Sequence, residues 1–198
     1  MIYRNRVVLA VLLCMPIGFA YADSGSDYRS KYVGQEAREI KTLSREDMDE
    51  LRTGKGWGLA KAAELNGVPG PVHLLEMKSE IQLSGEQIER IEGLYDEMKE
   101  RAVPLGLQLI DLEGKLNEAF ATRKIDEERL KDILGRISDV YEKLRFTHLS
   151  AHLKTPDILT TSQMKLYNEL RGYSSADPCE NVPEGHDPEM WKRHHNCE

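Results

Sequence analysis

Leu83-Ser84-Gly85-Glu86-Gln87 opens a run that continues to Thr122, LSGEQIERIEGLYDEMKERAVPLGLQLIDLEGKLNEAFAT, and the reading of this stretch decides the fold. A Ser at an N-cap with Gln three residues on forms a capping box, in which each side chain satisfies a backbone N–H that the helix start leaves unpaired. From Ile88 the apolar positions step alternately by three and four, through Ile91, Tyr95, Met98, Ala102, Leu105, Leu109, Leu112 and Leu116 to Ala119. That is a heptad seam. A helix from Ser84 to Thr122 would be about 58 Å long at a rise of about 1.5 Å per residue. Pro104 within it removes one backbone hydrogen bond and predicts a bend. A rod of this length needs a partner along its whole seam.

The partner follows in the chain. Arg123-Lys124-Ile125-Asp126 is a charged break with Asp126 placed to cap a second helix. Leu130, Ile133, Leu134, Ile137, Val140, Tyr141, Leu144 and Ala151 then mark a second seam, and the short connection makes the two rods antiparallel neighbours. Thr155-Pro156 ends the second rod. Leu159-Thr160-Thr161-Ser162-Gln163 repeats the first cap, and Met164, Leu166, Tyr167 and Leu170 carry a last helix to Gly172. Upstream, Pro71 suits a first helical turn, and Leu74, Leu75, Met77 and Ile81 give an apolar face to a segment running to Gln82. The expected fold class is all-α, a long antiparallel helical hairpin with short flanking helices.

Composition agrees with packed helices: aromatics make up only 7% of the 198 residues, fewer than a dense β-sandwich core draws on. Lys and Arg total 27 against 34 Asp and Glu, a balance that argues against a nucleic-acid backbone as partner. Arg4 and Arg6 precede an apolar run from Val7 to Phe19 and the small-x-small sequence Ala20-Tyr21-Ala22, which predicts an export signal, residues 1–22, cleaved after Ala22. The apolar run, about 13 residues, is shorter than the roughly 20 that span a bilayer as a helix. Leu13 stands before Cys14 where a lipoprotein signal needs a small residue, so Cys14 is expected to be lost with the leader.

Residues 23–70 read as a polar N-terminal extension with short helices. Its first part, to about residue 43, has no sustained apolar period and is expected to build no core. Ser44-Arg45-Glu46-Asp47 resembles a helix start, with the helix ending before Gly54, and Leu59 to Asn66 adds a further turn or two. Gly54-Lys55-Gly56-Trp57-Gly58 lacks the full phosphate-loop spacing and a preceding strand, so no nucleotide is expected.

Two L-[ST]-x-x-Q boxes, Leu83 to Gln87 and Leu159 to Gln163, flanking a long hairpin behind an export signal resemble the LTxxQ-motif proteins of the Spy/CpxP periplasmic family. The resemblance covers about residues 71–173. It implies a four-helix Spy-like fold, paired as a homodimer, in the periplasm. The roles it implies are those of ATP-independent chaperones, envelope-stress regulators with a signalling partner, and heavy-metal sensors or zinc-binding proteins. The first box carries Ser where the family pattern has Thr, a conservative departure.

His148 and His152, four apart on the second rod, project from one face and could bind one ion through imidazole nitrogens. The ordinary alternative is a half-buried His148 continuing the flank of Leu134 and Tyr141, with His152 solvated. His73 and Met77 are also four apart, and thioether with imidazole suits softer first-row metals. Counting helical rise from the two reversals places both pairs within about 5 Å of one level along the long rod. Glu92 sits at that level as an oxygen ligand, with Glu89 its substitute. The expected cofactor is a divalent transition metal, Zn, Ni, Co or Cu. The metal-sensing members of the family are similar in site type, binding metal between an early-helix His pair and a later helix bearing His and Met. Met77 also fits the apolar face of its own helix, where core packing is the usual role of Met.

Residues 174–198 form a tail with Cys179 and Cys197, in an oxidising space most simply one disulfide, contributing about 3 kcal/mol by loop entropy. The same thiols with His186, His194 and His195 make a secondary metal candidate. The competing function is holding unfolded client proteins. Leu94, Val103, Leu107, Ile110 and Phe120 are apolar outside the strict seam, and Arg123, Lys124, Arg129 and Lys131 make a local basic patch. No nucleophile elbow, H-E-x-x-H or comparable catalytic box occurs, so the chain reads as a non-enzyme.

Overall fold

The computed structural model describes residues 28–173, 182, 185–194 and 197. The leader with Cys14 and Ala22, and Cys179 and His195 in the tail, lie outside the described residues. The described chain falls into two units. Of the first, which ends at Val33, residues 28–33 are exposed and closed by a turn from Val33 N–H to the Ser30 carbonyl at 3.2 Å.

The second unit carries a 3-10 turn, Gln35–Ala37, and seven α-helices: α1 Arg45–Thr53, α2 Lys61–Glu64, α3 Pro71–Glu76, α4 Gly85–Ala121, α5 Glu127–Lys154, α6 Thr161–Leu170 and α7 Pro188–His194. No strand occurs among the described residues, so the described chain is all-α. Among them no helix is long and apolar enough to cross a membrane. The two long helices, α4 and α5, pack against each other as an antiparallel hairpin, with the shorter helices on its flanks.

Local chemistry sets the long helices. Ser84 accepts from Gln87 N–H and the Gln87 side chain accepts from Ser84 N–H, the full capping box. Asp126 caps α5 by accepting from Arg129 N–H at 2.8 Å. The reversal between the rods runs through Arg123 with φ +53°, a left-handed turn that a short charged linker tolerates. Pro104 lies inside α4 without ending it. On α4 the seam residues Ile91, Met98, Ala102, Leu109, Leu112 and Ala119 are buried, and on α5 Ile133, Val140, Leu144 and Ala151 are. Leu134 and Tyr141 depart from their expected place in the second seam and are exposed.

Two expectations need correction. The segment from residue 71 is helical only to Glu76; the chain must reverse before the Ser84 cap and does so through turns ending at Gln82, φ +53°. The polar stretch before residue 44 does build core: Ile40 and Leu43 are buried with Met48, Leu51 and Leu59 against Ala102, Leu109, Leu112, Val140 and Leu144. Two isolated apolar residues suffice because Asn117 and Glu113 of α4 hold the backbone and side chains around them. Lys41 N–H donates to Asn117 Oδ1 at 3.3 Å, and Thr42 Oγ1 donates to Glu113 Oε2 at 2.7 Å. At the opposite end of the hairpin a second cluster joins Leu74, Ile81, Ile91 and Tyr167, and Met77 packs on its edge.

Candidate metal centre

Five residues were singled out by spacing, and they stand in different surroundings. Met77 is half-buried against the Leu74, Ile81, Ile91 and Tyr167 cluster, the packing role open to any Met on that face. Glu92, and its substitute Glu89, face solvent on α4. Of the three histidines, His152 is close enough to feel the charge of His73 and for His148 to feel its own.

His152 lies in the last turn of α5 and is 6% exposed, buried rather than solvated. Its cover is the strap of residues 67–70 that leads into α3. His152 Nδ1 donates to the Val68 carbonyl at 2.9 Å, which leaves Nε2 with a lone pair. Gly70 lies against the ring: a Cβ added to it would lie 2.6 Å from Nε2 and 2.7 Å from Cε1, so only glycine lets the strap lie this close. The strap is pinned on either side. Thr155, fully buried, donates its hydroxyl to the Pro69 carbonyl at 2.7 Å, and Asn168 Nδ2 donates to the Gly67 carbonyl at 3.2 Å.

His148, one turn earlier, is 3% exposed, and its Nε2 has no hydrogen-bond partner among the described residues. Burial, and next the charge of His152, push its pKa down to about 4. Burial likewise lowers His152, outweighing the opposing Val68 hydrogen bond and the attraction of Glu64; the charge of His73 adds to the lowering. Both imidazoles are therefore held neutral, the form that ligates metal.

Glu64, at the end of α2, is the residue that spacing missed. His73 Nε2 is 3.5 Å from its Oε2, while His73 Nδ1 is 2.9 Å from Glu76 Oε2. Arg171 pairs with Glu64 Oε1, and the hydroxyls of Tyr173 and Tyr167 donate to the same oxygen at 3.0 and 3.3 Å. Burial alone would raise the pKa of Glu64; His73, Tyr173 and Arg171 together hold it below the usual carboxylate value. Glu64 thus links the outer histidine to α6. Its only sequence signal is an acid three residues before the strap, too common a pattern to single out.

Among the described residues no three His, Cys, Asp or Glu side chains are grouped to hold an ion as placed. His148 and His152 are the pair that best suits a metal, because both are held neutral and His148 has an unpartnered buried nitrogen. In the tail, His186 stacks edge-on to Trp191 at 5.0 Å, His194 is exposed on α7 and Cys197 is disulfide-bonded, so its sulfur is no thiolate ligand.

The chain matches no family model, no curated protein and no solved structure.

Proposed function

We propose that the chain is an exported, periplasmic helical protein of Spy/CpxP type that binds a divalent transition metal and serves as a sensor or buffer. The observation that carries this reading is the unpartnered, buried Nε2 of His148 one helical turn from His152. Leaving a polar atom so placed costs free energy unless the position has another use. His148 and His152 would hold the ion, with His73 and Glu64 the nearest further donors in place of Met77 and Glu92. The ion would supply a fixed positive charge that favours one helix arrangement over another, which is what a sensor requires. No catalysis is assigned. Titration of residues 23–198 with Zn, Ni, Co and Cu, followed by calorimetry, should give one site that His148→Ala/His152→Ala abolishes. Unchanged binding in that variant would move the site to His186, His194 and His195.

A second reading, holding unfolded clients as a homodimer or beside an envelope signalling partner, draws on α5. Phe146, Leu149 and Leu153 are spaced three and four apart on one face, and Phe146 and Leu153 are 64% and 72% exposed. Of the apolar residues outside the α4 seam, Leu94 is buried and Leu107 and Phe120 are exposed. Suppression of client aggregation by metal-free protein, unaffected by added metal, would put this reading first.

A further inference from the structure

The outward side of α5 carries a seam of its own. From Leu153 back through Leu149 and Phe146 the apolar residues step by four and three, and the same steps continue toward the helix start through Glu142, Asp139, Gly135 and Asp132. Positions in alternating steps of three and four share one face of a helix. All but the half-buried Leu149 are exposed, whereas Val140, Leu144 and Ala151 on the other side are buried in the packing with α4. The face is a strip about 32 Å long at a rise of about 1.5 Å per residue, apolar toward the end of α5 and acidic toward its start. Nothing lies within 4 Å of the Cβ position of Gly135, so another backbone can come close there. Asp132 is 3.8 Å from Arg136, while Asp139 and Glu142 stand in no ion pair among the described residues.

This order of side chains defines what would cover it. A matching helix carries apolar residues along one half of its own seam and Lys or Arg along the other. A second copy of this chain does not match, because a two-fold interface sets the same patch on both sides. Antiparallel α5 helices that join their Phe146 residues would lay Asp139 on Leu153, and parallel ones would lay acid on acid. Resting on the client-holding reading above and independent of the metal, we infer that the strip docks a basic amphipathic helix of another polypeptide. Burial of Phe146, Leu149 and Leu153 supplies affinity. Asp139 and Glu142 set the direction in which the helix lies and reject acidic helices.

The probe is a fluorescent synthetic peptide of about three heptads, matched to the length of the strip, with Leu at the seam positions of one half and Lys at those of the other. Anisotropy should show it binding to metal-free residues 23–198, and a peptide with Glu in place of Lys should bind at least about ten-fold more weakly. Phe146→Ser/Leu153→Ser and Asp139→Lys/Glu142→Lys should each weaken the Lys peptide by at least about ten-fold. Both variants change exposed residues, so their thermal unfolding should match that of the unaltered chain. Added salt should weaken binding to the unaltered chain and not to the Asp139→Lys/Glu142→Lys variant. Equal binding of the Lys and Glu peptides, or unchanged binding by both variants, overturns the inference. Self-association of the unaltered chain that Phe146→Ser/Leu153→Ser abolishes would make a second copy the occupant, and overturns it too. If both variants still suppress client aggregation as the unaltered chain does, the strip is not the client site and the client reading stands without it. If the unaltered chain suppresses no aggregation, the client reading itself fails.

Discussion

Gln87 and Gln163, each the third helical residue of its own capping box, hydrogen-bond to one another through both side-chain amides. Gln87 Nε2 donates to Gln163 Oε1 at 2.8 Å and Gln163 Nε2 donates to Gln87 Oε1 at 2.9 Å. Each Oε1 also accepts from its own N-cap, Ser84 N–H at 3.0 Å and Thr160 N–H at 2.9 Å. Each Nε2 has a further acceptor, the Ile158 carbonyl at 2.8 Å and the Gln82 carbonyl at 3.2 Å. The two boxes are therefore one joint that fixes the start of α4 to the start of α6. This explains glutamine at a position where glutamate caps equally well: only the amide has a donor for the partner helix.

Gln163→Glu should consequently cost more than a cap. It keeps the bond from Thr160 N–H but leaves Gln87 Oε1 and the Gln82 carbonyl without their donor, an expected loss of about 2 kcal/mol in urea unfolding at neutral pH. Thr160→Ala, which removes the hydroxyl side of the box, should cost about 1 kcal/mol. Equal losses in the two variants would mean that the inter-box bonds contribute nothing.

Opposite outcomes are expected from one substitution at two places on α4. A Cβ on Gly106 would lie 2.2 Å from the Leu51 carbonyl oxygen, so α1 rests directly on this glycine. Backbone cannot swing aside as a flexible side chain does, and Gly106→Ala should destabilise by about 1–3 kcal/mol despite better helix propensity. Gly93 has nothing within 4 Å of its Cβ position, and Gly93→Ala should stabilise by up to about 1 kcal/mol. Thermal unfolding of the two variants checks the sign of each.

What was legible in the sequence is what local chemistry determines. A hydroxyl and an amide three residues apart specify a cap without reference to the rest of the chain, and Ser84, Asp126 and Thr160 all cap where expected. The rods follow from their seams. The site was legible only along the helix axis, because rise per residue gives a level and says nothing of what lies outside the rods. Glu92 has a suitable level but faces solvent, whereas Glu64 comes from a short helix with no periodicity to place it. His152 reads as a solvated residue on α5 until the strap is added. Its one trace in the sequence is Gly70 between Pro69 and Pro71, a glycine whose negative φ of −88° does not demand it and whose closeness to the imidazole does. Ile40 and Leu43 were missed for the same reason, since two apolar residues make no period.

Acid should loosen the end of the hairpin where the histidines lie, in a window set by His148. Its ordinary pKa of 6.5 falls to about 4 in the folded chain, through burial first and the charge of His152 second. Above the unfolded value both states carry a neutral imidazole and the stability is fully present. Between that value and about 4, the unfolded chain binds a proton that the folded chain excludes, so stability falls as pH falls, by about 1.4 kcal/mol per pH unit. Across the window the loss is on the order of 3 kcal/mol, and the lowered pKa of His152 adds in the same direction. Glu64 does not offset it: its lowered pKa makes it a group whose contribution is lost only at still lower pH. Urea midpoints at pH 7.5, 6 and 5 should drop steadily for the unaltered chain and much less for His148→Leu, which fills the same buried space without a titrating nitrogen. An equal drop in both would place the acid sensitivity elsewhere in the fold.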